Sequence, residues 1–252
     1  MEQYNLPENN PKVAYDMVSL PSGGIYYSHK KTALKVSYLT AADENILTSP
    51  NLTNSDDLMD TLLKSKILDK EVVVEDLAEC DKQAIFIFLR NTGFGSEYKF
   101  TLTDPADSTS FEHTEDLSIL KTKDIEEKPD EKGEFSLTLP VSKHKVKVRL
   151  LTPREEKELD ELKERYKDQK ISPLATKRLE KTVTEMEGER DTMTLSVNLH
   201  TLPLKDSHYI KNFIRKVTPG LDLQRTAKAP SGREVKFTIT FGLSFFRTFF
   251  GI

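Results

Sequence analysis

Residues 35–47 (KVSYLTAADENIL) recur at an offset of 112 as residues 147–159 (KVRLLTPREEKEL), and a chain that repeats itself folds into related pieces. Both copies read as a strand running into a helix, with a β-favouring run before a threonine. Thr40 and Thr152 are natural N-caps, and Asp43 and Glu155, three residues on, complete or imitate a capping box. Pro153 takes the first helical position, where its missing N–H costs nothing. A second match follows at an offset of 125, between residues 77–90 (LAECDKQAIFIFLR) and 202–215 (LPLKDSHYIKNFIR). Asp81 and Asp206 are expected to cap these helices. Ile85, Phe88 and Leu89 in one, and Ile210, Phe213 and Ile214 in the other, form a core-facing stripe. Glycine-bearing turns, at 92–95 and 218–220, stop both helices. Third, residues 99–103 (KFTLT) match 236–240 (KFTIT) as alternating strands. Three matches in one order predict an α+β fold of two tandem related mixed α/β units with short mixed sheets and flanking helices.

The rest of the chain fits between these marks. Residues 1–16 are a polar N-terminal arm, 17–122 the first unit, 123–134 a charged linker and 135–252 the second unit, with its long charged helix and aromatic C-terminus. Residues 20–27 read as a turn entering a short strand, with Gly23 and Gly24 supplying positive φ. Residues 55–65 are an amphipathic helix carrying Leu58, Leu62 and Leu63. Its counterpart spans 173–188, where Leu174, Leu179 and Val183 recur at helical spacing. Residues 104–110 are a polar loop, and 135–139 with 146–150 are expected to pair as a hairpin. Residues 153–170 form a charged surface helix whose apolar stripe is only Leu159, Leu162 and Tyr166, with solvated i,i+4 pairs outside it.

Composition narrows the function classes. Of 252 residues, 37% are hydrophobic and 31% charged, as in a polar-surfaced globular protein. The single thiol, Cys80, excludes an intramolecular disulfide and a cysteine-rich zinc site. The opening MEQYNLPENN lacks the features of a signal peptide, and no run of 18 apolar residues is long enough to span a membrane. Residues 1–122 carry a net charge of −9 and residues 123–252 one of +5. That difference either orients an encounter or marks solvated faces.

Catalytic chemistry finds no foothold. The histidines at 29, 113, 144, 200 and 208 are scattered without metal-ligand spacing. His113 beside Glu112 and Glu115 reads as a surface histidine, and Cys80 as a buried or idle thiol without an adjacent base. The Gly93–Gly95 turn lacks a phosphate-binding fingerprint. Asp56 with Asp57, or Glu155 with Glu156, are paired acids in a chain with 41 of them. No catalytic, cofactor or metal residue is assigned, and the lysines of 153–170, interleaved with acids, argue against nucleic-acid binding.

The C-terminus is more informative, because six of the 13 phenylalanines lie in the last 16 residues. Phe237 belongs to a strand. Residues 244–252 either close the second unit or insert into a partner, since aromatic clusters bury large areas and exposed ones mark interfaces. Phe245, Phe246, Phe249 and Phe250, with Arg247 between them, are therefore candidate partner contacts. Gly23, Gly24, Tyr26 and Tyr27 are added because glycines permit close backbone approach.

The order of these elements resembles the baseplate hub and hub-assembly proteins of T-even-type contractile-tailed bacteriophages. The resemblance rests on Leu20-Pro-Ser-Gly-Gly-x-Tyr26, Leu39-Thr-Ala-Ala-Asp-Glu-Asn-Ile-Leu-Thr48, Ser49-Pro-Asn-Leu52, Asp81-x-x-x-Ile85 leading to Leu89-Arg90, Gly95-x-x-Tyr98, Asp116-Leu117 and Phe245-Phe246. It covers most of residues 18–120 and continues more weakly through the second half. Relatives carry a Cys-Pro-x-Cys turn after the strand matched by 99–103. This chain has Thr103-Asp-Pro-Ala106 there and Thr240-Phe-Gly-Leu243 in the second copy, so no zinc knuckle carries over. The resemblance implies a cysteine-free variant and a non-enzymatic structural or assembly protein, with other tail or hub proteins as partners. The expected location is the virion baseplate, or the host cytoplasm during assembly. A transient assembly chaperone is the alternative, and an enzyme with an unrecognised acidic site the more distant one.

Overall fold

The computed structural model describes residues 14–48, 55–241 and 245–246. They form a mixed α/β architecture of seven α-helices, two short 3-10 helices and four short antiparallel sheets. The chain divides into two compact units, one of residues 1–123 with 220–252 and the other of residues 124–219.

The first unit opens with β1 (Tyr15–Ser19) paired to β2 (Ala33–Ser37). Residues 25–27, expected to enter a strand, belong instead to the long turn between these two, and Tyr15 and Asp16 lie in β1 rather than in an arm. Helix α1 (Ala41–Leu47) starts at Thr40, whose capping box with Asp43 is formed. The Asp43 carboxylate also meets Lys66 at 2.6 Å, at the end of α2 (Ser55–Lys66), with both side chains buried. Leu58, Leu62 and Leu63 of α2 are fully buried with Leu34 and Val36, as the leucine spacing predicts. Helix α3 (Glu79–Phe94) follows, ending at Gly95 with φ of +86°. The hairpin of β3 (Glu97–Thr103) and β4 (Ser110–Asp116) is closed by a turn in which Asp104 accepts the N–H of Ala106 at 2.9 Å.

In the second unit, β5 (Glu134–Thr138) and β6 (Lys145–Arg149) form the expected hairpin, and β7 (Val183–Met186) pairs with β6 as a third strand. Helix α4 (Pro153–Arg165) has its capping box from Thr152 and Glu155 but stops at Tyr166, short of residue 170. Its charges reach across to α5 (Leu174–Thr182) more than along the helix: Arg178 holds Glu156 at 2.7 and 2.6 Å and Lys181 holds Glu158 at 2.8 Å. Val183, expected on a helix, lies in β7, because the β-branched run at 182–184 suits a strand against β6. Helix α6 (Thr192–His200), capped by Asp191, is an element that periodicity does not predict, since apolar residues surround it. Helix α7 (Leu204–Val217) buries Ile210 and Val217 among Phe135, Val146, Val148, Leu179 and Leu199.

The chain then returns to the first unit. Backbone bonds from Lys123 to Gly220 and from Asp222 to Lys121 zip the two crossing segments together. β8 (Gln224–Lys228) and β9 (Glu234–Thr238) make a hairpin. Residues 220–241 with 245 and 246, read from the sequence as part of the second unit, pack in the first. The reason is aromatic complementarity: Phe86, Tyr98 and Phe100 leave ring surfaces that Phe237, Phe241, Phe245 and Phe246 cover. The charge asymmetry shrinks accordingly. The first unit holds 17 basic and 22 acidic residues, the second 20 and 19, so −9 and +5 become −5 and +1. The third sequence match also changes meaning, since 99–103 lie in the first strand of one hairpin and 236–238 in the second strand of the other.

Candidate protein-contact site

The β1–β2 turn is clamped by Asp81. This residue is the third of α3, not its cap, and its buried carboxylate reaches back to the turn. It accepts the Ser22 N–H at 2.9 Å, the Ser22 hydroxyl at 2.6 Å and the Tyr27 hydroxyl. Tyr27 in turn accepts the Ala78 N–H at 2.8 Å, and Ser22 Oγ accepts the Gly24 N–H at 3.1 Å. Every polar atom of this cluster is used on the chain itself. Burial, then the bond to Asp81, raises the Tyr27 pKa, and burial with the Asp81 charge pushes the Cys80 thiol up to about 12. Cys80 is therefore an inert thiol.

Of the four candidate turn residues, Tyr27 and Gly24 face inward. A Cβ on Gly24 would lie 2.3 Å from the Lys31 carbonyl oxygen, at φ of +77°. Gly23, at φ of +60° with open space around it, and Ile25, 55% exposed, face outward, and Tyr26 after them is half-buried. Ile25 carries no distinguishing sequence signal beyond being the one aliphatic residue of the turn.

The second unit holds the same device. Asp206, also the third residue of its helix and also buried, accepts the N–H groups of Val141 at 2.8 Å and Ser142 at 2.9 Å in the β5–β6 turn. Burial alone would raise its pKa; the donors from Ser142 and Val141 outweigh that and hold the carboxyl below its ordinary value. Val141, like Ile25, points outward, 48% exposed. A Leu-Pro pair leads into both turns, Leu20-Pro21 and Leu139-Pro140, with both leucines buried. That shared pair is the sequence signal from which the two clamps could have been found.

Phe245 and Phe246 are fully buried in the first unit. The Arg90 guanidinium, itself buried, donates to the Phe245 carbonyl at 2.5 Å and to the Glu97 carbonyl at 3.2 Å, and lies over the rings of Tyr98 and Phe245. So placed, the two phenylalanines present no surface to a partner, and the unit they close is the first, not the second. Arg247, Phe249 and Phe250 lie outside the described residues. His113 is not a plain surface residue either: its ring packs edge-on against Phe100 and Phe237, and Nε2 lies 3.2 Å from Glu115, which also meets Arg225. Among the described residues no group of three or more His, Cys, Asp or Glu side chains is placed to hold a metal, and no helix is long and apolar enough to cross a membrane.

Residues 13–247 match the family model described as T4 bacteriophage base plate protein. The chain belongs to that family. The match runs through both compact units, so the T4 base plate family pattern includes the returning segment as well as the inserted second unit. Neither a curated protein nor a solved structure matches the chain.

Proposed function

We propose that this base plate family member is a structural or assembly protein of the tail baseplate hub and works through protein–protein contacts. The observation that carries this reading is the family match over residues 13–247, nearly the whole chain. The interior supports it: the buried polar groups Asp81, Tyr27 and Asp206 are spent on holding turns in place. Its partners are other tail or hub proteins, and its place is the baseplate in the virion, or the host cytoplasm while the hub is being built.

The chain is read as two tandem related units. In support, each half runs through a hairpin, a capping-box helix, a second helix, a helix bearing the buried aspartate clamp, and a closing hairpin. On this reading residues 17–122 and 135–252 are the related sequence units around a linker at 123–134, and the last hairpin of the second packs on the first. Contacts fall on the outward side of the 22–27 turn, at Gly23 and Tyr26, and on Arg247, Phe249 and Phe250. Gly24 and Tyr27 hold the turn in shape, and Phe245 and Phe246 are buried.

The test is quantitative mass spectrometry of hub subassemblies and purified tails. Integer stoichiometry in both supports a resident component. Presence in subassemblies with absence from tails makes the chain a transient chaperone instead, and absence from both removes the assembly reading.

A further inference from the structure

The outward face of α7 carries cations from its first turn to its last and no acid. Exposed and half-exposed positions fall in two rows along the helix, Leu204–His208–Lys211–Arg215 and Lys205–Tyr209–Asn212–Lys216, spaced by three and four residues. The helix has one acid, Asp206, and it is buried and committed to the β5–β6 turn. Lys216 is met by Glu127 at 2.6 Å, with Glu126 also acting on it, and Arg215 bonds Asn212 at 3.0 Å. Lys205 and Lys211 form no ion pair among the described residues. The exposed side of α4 differs, because its lysines are interleaved with acids, and Arg178 and Lys181 of α5 hold two of those acids.

Helix stability does not explain the arrangement. Arg215 and Lys216 suit the C-terminal end of the helix dipole, but Lys205, in the first turn, works against it. Leu204 beside it is 70% exposed and Tyr209 42%. An apolar side chain standing among unpaired cations suits a partner that brings both carboxylates and apolar groups. A phosphate backbone offers nothing to Leu204.

We infer that the α7 face docks an acidic amphipathic helix of another protein, its carboxylates meeting Lys205, Lys211 and Arg215 and its apolar stripe covering Leu204 and Tyr209. The two rows, at alternating spacings of four and three residues, form a strip along the helix of the kind a second helix lies on. This names the kind of partner for the assembly role above and rests on that reading.

The probe is a fluorescein-labelled 18-residue helical peptide, with glutamates flanking a leucine stripe, titrated into the full chain by anisotropy. Comparators are a peptide of the same composition in scrambled order and an 18-base-pair DNA duplex. Triple reversal Lys205→Glu, Lys211→Glu, Arg215→Glu is expected to weaken peptide binding by at least about tenfold, as is Leu204→Ser with Tyr209→Ser. A charge-matched control on the exposed side of α4 and the turn after it, Lys157→Glu, Lys163→Glu, Lys170→Glu, is expected to change it less than about twofold. Circular dichroism checks that each variant is folded. No binding of the amphipathic peptide, equal binding of the scrambled one, equal loss in the control, or tighter binding of the duplex overturns the inference. Any of these, with the chain still found in hub subassemblies, removes the α7 face and leaves the assembly role standing.

Discussion

The Asp206 carboxylate accepts the backbone N–H of Ser142 at 2.9 Å, tying the first turn of α7 to the hairpin turn 64 residues earlier in the chain. With the Val141 N–H at 2.8 Å on its other oxygen, it satisfies two turn donors at once. Asp81 does the same work on Ser22 in the first unit. Hydrogen bonds to a buried charge contribute about 1.5–3 kcal/mol each, so Asp206→Ala is expected to destabilise the second unit by about 3 kcal/mol. Urea unfolding at neutral pH measures it. Because the Asp206 pKa is depressed, its contribution is complete above the ordinary aspartate value of 3.8 and is lost as pH falls below it. Wild type and Asp206→Ala should therefore converge in stability toward pH 2.

Glu134 and Glu155 set a second acid-dependent step in the same unit. Arg190 grips Glu134 at 3.0 and 2.8 Å, and Arg149 grips Glu155 at 2.8 and 2.5 Å, bringing both carboxyls down to about 2. The stabilisation they supply is complete above the ordinary glutamate value of 4.5 and disappears between there and about 2. A Tm series from pH 6 to pH 2 should fall across that window, and Glu134→Gln with Glu155→Gln should flatten it. An unchanged slope in the double variant contradicts this assignment.

The returning C-terminal segment completes a core. Phe245→Ala or Phe246→Ala opens a cavity among Phe86, Tyr98 and Phe241, with an expected cost of about 3–5 kcal/mol. Arg90→Met, which removes the donor to the Phe245 carbonyl, should also loosen the segment. Hydrogen exchange locates the effect: α3 and β3 lose protection while α5 and α7 keep theirs. Deleting residues 244–252 is expected to unfold the first unit, whereas a detachable contact arm would leave it folded.

Two adjacent glycines separate strain from crowding. Gly23→Ala at φ of +60° meets no neighbour, so it costs only backbone strain of about 1 kcal/mol. Gly24→Ala drives a methyl into the Lys31 carbonyl and must shift the turn, so it should cost more. Thermal unfolding of both variants gives the order, and the reverse order would mean that the turn is slack.

Local signals were legible in the sequence where a short stretch decides them. The capping boxes at Thr40 and Thr152 are such cases, as are the buried leucines of α2 and the β5–β6 hairpin. Helix α6 escaped because apolar residues surround it, with Met193 and Val197 exposed while Leu195 and Leu199 are buried, leaving no 3.6-residue contrast. Asp81 and Asp206 read as caps, since an acid near a helix start has the same local signature whether it serves its own helix or a distant turn. The route of residues 220–241 back to the first unit could not be read, because aromatic density says that rings are buried but not against what. The candidate contacts Phe245 and Phe246 meet the same limit: they stand out by their rings, and rings are what cores and interfaces share.

The central claim is that this base plate family chain builds the hub. Its most direct measurement is the composition and state of tails from an infection in which the chain is absent. The account predicts that assembly arrests before complete baseplates form, and that supplying the chain in trans restores them. Complete, infective tails formed without it would contradict the account.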